Sequence, residues 1–174
     1  MHYIGIDIGS TATKVSVFGE DELLHNFTMP TGWSSIETSN IVKEKLKEME
    51  IHVDTSKVLA TGYGRVSVPY AHKTITEITC HGKGAAYLTG EDCTVVDIGG
   101  QDTKVITVEN GMIVDFLMND KCSAGTGRFL EIMANTLGVD IDTLCDVAET
   151  GSGISISSMC TVFAESEVIS LIGR

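Results

Sequence analysis

Apolar and polar or small residues alternate through Tyr3-Ile4-Gly5-Ile6-Asp7-Ile8, and a period of two is the signature of a strand. The alternation returns through Thr13 to Phe18 and again through Leu23 to Met29, which predicts three strands in quick succession. The spacing then changes. Ile41 or Val42, Leu46 and Met49 recur at helical intervals after Ser34 and Ser35. This predicts a helix running to about residue 50, with one of the serines as its N-cap. Lys57 to Thr61 reads as a short strand closed by Gly62-Tyr63-Gly64, and Thr74 to Leu88 as a helix despite Gly82 and Gly84.

The pattern then restarts. Cys93 to Ile98 and Thr103 to Val108 are strand-like. Asn110-Gly111 is a hairpin turn signal, and Met112 to Leu117 reads as the next strand. Helices are expected over 127–137, 140–149 and 161–172, with Gly138 ending the first. Two lobes follow from this organisation, 1–90 and 91–174.

The restart is a repeat in detail. Asp7-Ile8-Gly9-Ser10-Thr11-Ala12-Thr13-Lys14-Val15 aligns with Asp97-Ile98-Gly99-Gly100-Gln101-Asp102-Thr103-Lys104-Val105 at an offset of 90, with six of nine positions identical. A repeated strand–turn–strand unit predicts two similar lobes. The turn chemistry suits phosphate. Glycine lets backbone N–H groups approach an anion, and Ser10 and Thr11 carry donor hydroxyls. Asp7 and Asp97 stand where a carboxylate orients magnesium-bound water. Lys14 either neutralises phosphate or points away. One Asp-Ile-Gly corner alone is an ordinary hairpin. Two matched copies opening two three-strand units favour nucleotide phosphate. Neither Gly-x-x-x-x-Gly-Lys-Ser/Thr nor a Rossmann glycine pattern is present.

Composition narrows the setting. The chain has 174 residues, 43% of them hydrophobic and only 2 prolines, which fits a packed domain or two small lobes. A net charge of −12 argues against nucleic-acid or anionic-membrane binding, and no apolar run is long enough to span a bilayer. Met1-His2-Tyr3 leads directly into a strand without a basic leader, so a cytoplasmic location is expected. Five cysteines are then expected as thiols rather than disulfides.

Two of the cysteines stand out. Cys122 lies in Asn119-Asp120-Lys121-Cys122-Ser123-Ala124-Gly125-Thr126-Gly127, and Cys160 in Ser158-Met159-Cys160-Thr161-Val162-Phe163. Each segment leads into an expected helix, so both thiols are placed at helix N-termini, where the helix field favours anionic ligands. Two thiolates per chain and two from a symmetry mate would complete an iron–sulfur cubane, making a twofold dimer the economical arrangement. Burial as small core residues is the plain alternative. Cys93 and Cys145 read as packing residues, Cys145 on an apolar helical face, and so does Cys80 beside His81.

Taken together, these segments resemble a known family. The repeats around Asp7 and Asp97, Ala60-Thr61-Gly62-Tyr63-Gly64-Arg65, the Met118–Phe129 stretch and Cys160 to Val168 look like the activators (component A) of 2-hydroxyacyl-CoA dehydratases. These belong with the BadF/BadG/BcrA/BcrD-type ATPases. The likeness covers nearly the whole chain. It implies an α/β actin/Hsp70/sugar-kinase (ribonuclease H-like) ATPase fold of two similar lobes, in a cytoplasmic homodimer of anaerobic metabolism. It implies ATP/ADP with Mg2+, and one [4Fe-4S] cluster shared between two subunits through Cys122 and Cys160 of each. It implies a ferredoxin or flavodoxin as electron donor and a 2-hydroxyacyl-CoA dehydratase as acceptor. ATP binding and hydrolysis would alter the angle of the helices around the cluster. The electron would then start radical dehydration.

The same resemblance makes Asp7, Gly9, Ser10, Thr11, Ala12, Thr13 and Lys14 the first phosphate segment. The second is Asp97, Gly99, Gly100 and Gln101, with Gln101 or Asp102 positioning the attacking water. The family fold continues into an adenosine-binding segment and a closing helix. The chain reaches Leu171-Ile172-Gly173-Arg174 before them, so a truncated second lobe is expected. The competing functions are an ATP-binding subunit of a benzoyl-CoA-type reductase, a non-catalytic cluster-binding dimerisation module, and a small-molecule kinase. The kinase reading leaves the paired cysteines unexplained.

Overall fold

The structure is a computed structural model and describes residues 1–173. Chain contacts divide it into two units. One comprises 1–92 with 109–113, the other 93–108 with 114–174.

The first unit is built on a five-stranded sheet. Its strands are β1 (Tyr3–Ile8), β2 (Ala12–Phe18), β3 (Leu23–Pro30), β4 (Lys57–Thr61) and β5 (Lys73–Thr74), in the order β3-β2-β1-β4-β5. The first three form an antiparallel meander, and β4 and β5 then add in parallel. Ile4, Ile6 and Ile8 alternate onto one face and are buried there with Val15 and Val17 of β2 and Val58 and Ala60 of β4.

Helix α1 (Ser35–Glu48) belongs to this core. Ser34 Oγ accepts from the Glu37 backbone N–H as the N-cap. Val42 and Leu46, four positions apart, are fully buried, which settles the choice between Ile41 and Val42 for the core face, whereas Met49 remains exposed. Burial of each such side chain contributes about 1.5–3 kcal/mol. Tyr70 closes the core edge by donating to the Ser39 carbonyl at 2.6 Å, and burial pushes its phenol up to about 12. Helix α2 (Glu77–Thr89) follows and ends on Gly90, whose φ of +72° is the left-handed cap that glycine adopts without strain.

The second unit carries a three-stranded sheet, β6 (Cys93–Ile98), β7 (Thr103–Glu109) and β8 (Met112–Asn119) in that order. Asn110 and Gly111, both at positive φ, make the tight turn between β7 and β8. Helices α3 (Gly127–Leu137), α4 (Ile141–Ala148) and α5 (Thr161–Ile172) complete it. Gly138 ends α3 in the left-handed conformation, and Asp140 caps α4 by accepting from the Thr143 N–H.

The two repeats bury opposite faces of the same strand pair. In β1 the positions of Ile4, Ile6 and Ile8 are buried, but their equivalents Thr94, Val96 and Ile98 in β6 are exposed. In β2 the buried residues are Thr13, Val15 and Val17; in β7 they are Lys104, Ile106 and Val108. A one-residue change of face moves Lys14 out and Lys104 in.

Candidate functional site

The two repeated turns share one geometry. Gly9 N–H donates to the Ala12 carbonyl at 3.1 Å, and Gly99 N–H donates to the Asp102 carbonyl at 2.8 Å. A Cβ on Gly9 would stand 2.8 Å from the Ala12 oxygen, and one on Gly99 would stand 2.5 Å from the Asp102 carboxylate. Both glycines are therefore required by close approach. Behind each turn the repeated Asp and Lys are direct cross-strand partners, Asp7 opposite Lys14 and Asp97 opposite Lys104.

The electrostatics of the two turns differ. Lys14 Nζ lies 3.0 Å from Asp7 Oδ2, and its side chain is 52% exposed. Lys104 Nζ lies 2.8 Å from Asp102 Oδ1 and 3.5 Å from Asp97 Oδ2, with a side chain only 2% exposed. Asp102 is itself buried, with its carboxylate folded back beneath Gly99. Gln101 is exposed at the turn. Ser10 and Thr11 form the corresponding tip of the first turn, where the Thr11 carbonyl accepts from the Thr31 N–H. Thr13 points inward, fully buried, with its hydroxyl 2.7 Å from that of Thr31. The 3.1 and 2.8 Å turn bonds engage the Gly9 and Gly99 amides, and the Gly100 carbonyl accepts from Arg128.

Each turn is braced by a segment of its own unit. Gly64 N–H donates to the Ile8 carbonyl at 2.9 Å. Gly62, at φ +82°, packs so closely on Asp7 and Ile8 that a Cβ would collide with the Asp7 carboxylate. In the second unit the start of α3 does the bracing: Gly127 N–H donates to Gly99 O at 2.8 Å and Arg128 N–H to Gly100 O at 3.1 Å. The Thr103 hydroxyl donates to Gly125 O at 2.5 Å. In the sequence the Gly-Thr-Gly stretch marks only a helix opening. Its bond to the second turn comes from the fold.

The cysteines separate into two groups. Cys160 is the N-cap of α5, at the helix start the sequence predicts, and is exposed rather than buried. Cys122 is also exposed but lies in the loop ahead of α3, four residues before the cap Thr126, so it is not at the helix N-terminus that the sequence suggested. Small residues and the Gly125 turn (φ +76°) intervene before the helix begins. The segments are nevertheless joined, because Ser123 Oγ lies 2.8 Å from Thr161 Oγ1. Glu167 of α5, which the motif reading did not single out, accepts from Ser157 N–H, Ser157 Oγ and Ser158 N–H just ahead of Cys160. These donors, the Ser157 backbone N–H first, hold its carboxyl below the usual glutamate range.

Cys145 is exposed rather than packed. Cys80 is half-buried, and burial pushes its thiol up. The Thr61 hydroxyl beside it lowers the thiol somewhat, but sits outside bonding geometry and is left unpartnered. No group of three or more potential metal-ligating side chains gathers among the described residues. An apolar hollow of about 400 Å3 over Gly5, lined by Tyr3, Phe18, Leu59 and His72 among others, involves none of the expected site residues.

Paired Asp-Ile-Gly hairpins on two sheets, the first in the order β3-β2-β1-β4-β5, give the chain the α/β fold of actin-like and sugar-kinase-type proteins. Within that class the chain belongs to the BadF/BadG/BcrA/BcrD ATPase family, whose model matches residues 4–172. It is 46% identical over 98% of its length to the 2-hydroxyisocaproyl-CoA dehydratase activator of Clostridioides difficile. It is 43% identical over its whole length to the (R)-2-hydroxyglutaryl-CoA dehydratase activating ATPase of Acidaminococcus fermentans. The solved structure of the Acidaminococcus component A superposes with a TM-score of 0.90 over 99% of this chain and 68% of that one. The Clostridioides activator with bound ADPNP superposes at 0.89 over 99% and 66%. A benzoyl-CoA reductase polypeptide of Thauera aromatica is more distant, 32% identical over 70% of this chain and 43% of that protein. The chain spans about two thirds of the length of the dehydratase activators it matches, 65% and 68%. No helix among the described residues is long and apolar enough to cross a membrane.

Proposed function

We propose that this chain is the nucleotide- and electron-handling part of an ATP-dependent activator that reduces a 2-hydroxyacyl-CoA dehydratase. The observation that carries the reading is the coexistence of two phosphate-type hairpins with two exposed thiol segments tied through Ser123 and Thr161. The identities of 46% and 43% to dehydratase activators, against 32% to the benzoyl-CoA reductase polypeptide, favour the dehydratase over an aryl-CoA reductase as acceptor.

In this reading Gly9 to Thr11 and Gly99 to Gln101 are the phosphate segments. The amides and small side chains at the turn tips take up oxyanion charge. Asp7 and Asp97 would orient water on a bound magnesium ion, and Asp7 holds Lys14 to its own oxygen. Gln101, exposed at the turn, positions the attacking water.

The thiols of Cys122 and Cys160 fit a cluster: both are unpaired, exposed and set in small-residue segments joined by a side-chain hydrogen bond. Each chain supplies two thiolates, and a twofold-related copy supplies two more, making the functional species a homodimer. A [4Fe-4S] cluster bound there supplies one-electron transfer, from a ferredoxin or flavodoxin to the dehydratase, in the cytoplasm of an anaerobe. Thr161 and Cys160 open α5, so movement of that helix is the means by which nucleotide state reaches the thiols.

The test is iron and acid-labile sulfide content with dimer mass, on protein prepared without oxygen. The expected result is about four irons per dimer, lost in both Cys122→Ala and Cys160→Ala. An iron-free monomer would overturn the electron-transfer reading and leave a nucleotide-fold module.

A further inference from the structure

The two repeats carry the same lysine but use it differently. Lys104 is fully inside the second unit, with its ammonium 2.8 Å from Asp102 and 3.5 Å from Asp97. Lys14 is exposed on a single carboxylate. A buried ammonium between two carboxylates is held by them and lacks the reach of a surface lysine. Asp102 in turn is buried beneath Gly99, its Oδ1 2.5 Å from where a Cβ on that glycine would stand. Its carboxylate therefore braces the turn from within, and Gln101 is the exposed side chain at its tip.

We infer that Lys104 is a positioning residue of the second turn, which neutralises Asp102 and fixes it under Gly99 so that the turn can receive a terminal phosphate without touching it through the lysine. The inference rests on the phosphate reading of the hairpins proposed above, and it assigns the water-positioning role to Gln101 over Asp102. With Lys104 present, the trio of one ammonium and two carboxylates carries a single negative charge. Removing the ammonium makes the charge directly behind the turn one unit more negative. The added repulsion acts most on the group that reaches deepest, so a nucleoside triphosphate suffers more than the diphosphate.

The test compares MgADPNP and MgADP affinity in wild type, Lys104→Met and Lys104→Met/Asp102→Asn, using the full chain. The expected result is that Lys104→Met lowers the preference for ADPNP over ADP by about tenfold, and that adding Asp102→Asn recovers most of that loss. A lysine that contacts phosphate directly predicts no recovery in the double variant, and a purely structural lysine predicts equal losses for both nucleotides. Either outcome overturns the inference. Should Lys104→Met not fold, the double variant, which restores the wild-type net charge behind the turn, decides alone: retained preference for ADPNP supports the inference and its loss overturns it. Absence of any nucleotide binding by wild type would overturn the phosphate reading itself, a result separable from failure of the rescue.

Discussion

Ser123 Oγ lies 2.8 Å from Thr161 Oγ1, so the residues that directly follow Cys122 and Cys160 are bonded to one another across 38 positions of chain. Thr161 is buried, which makes the contact more than a surface accident. It fixes the spacing of two thiol-bearing segments that come from different loops. Removing it by Thr161→Val costs about 0.5–1.5 kcal/mol, since the half-buried Ser123 hydroxyl loses its partner. Thermal unfolding measures that loss. The functional expectation is lowered iron content after anaerobic reconstitution, although neither cysteine is altered. Full iron loading in Thr161→Val would show that the bond plays no part in presenting the thiols.

The two repeated lysines provide an internal control on burial. Lys104→Met removes a buried ammonium from beside Asp102 and Asp97, and the expected destabilisation is about 3–5 kcal/mol. Lys14→Met removes an exposed pair and is expected to cost about 0–1 kcal/mol. Urea unfolding of the two variants side by side decides the matter. Equal effects would contradict the opposite-face packing of β2 and β7.

That opposite packing marks the limit of what the sequence discloses. Alternation placed nearly every strand, and Gly90, Asn110-Gly111 and Gly138 stand at positive φ where the chain turns or a helix ends. The repeat located both hairpins because turn chemistry is local. Which face of each hairpin is buried is a tertiary decision. In β7 the alternatives Val105 and Ile106 are both apolar, so a period of two leaves the choice open. For the same reason the inward turn of Thr13 and the burial of Asp102 could not be read from the aligned motif. Cys122 was displaced from its expected helix end because Gly125 and Thr126 take up a turn before α3 begins.

Gly62 is the residue on which the first turn depends most. Its φ of +82° is unfavourable for any side chain, and a Cβ would run into Asp7 and the Ile8 backbone. Gly62→Ala is expected to destabilise the protein by about 2 kcal/mol or more. Displacement of Asp7 should weaken nucleotide binding beyond the loss of fold. Titration with a fluorescent ADP analogue at a temperature where the variant is folded checks this. Gly84→Ala is the matching control, in a helix where a Cβ would meet open space. It is expected to raise stability slightly, because alanine is the better helix former.

Glu167 gives the loop before Cys160 a pH dependence whose sign follows from its partners. Its carboxylate accepts from the Ser157 N–H at 3.0 and 3.1 Å, from Ser157 Oγ at 3.0 Å and from Ser158 N–H at 3.2 Å. All of these bonds favour the ionised form, and the folded carboxyl is held below its ordinary value, with the Ser157 backbone donor the largest cause. A depressed carboxyl contributes its stabilisation above the unfolded value and loses it as pH falls through the folded one. The loop is therefore expected to be fixed at neutral pH and to loosen only on the acid side of the usual glutamate range. Hydrogen exchange at the Ser157 and Ser158 amides should show protection at neutral pH that is lost on acidification. In Glu167→Gln, which keeps an acceptor oxygen but not the charge, protection should be weaker at neutral pH and should no longer follow the carboxyl titration. Protection that tracks pH identically in both proteins would place the acid sensitivity in another group.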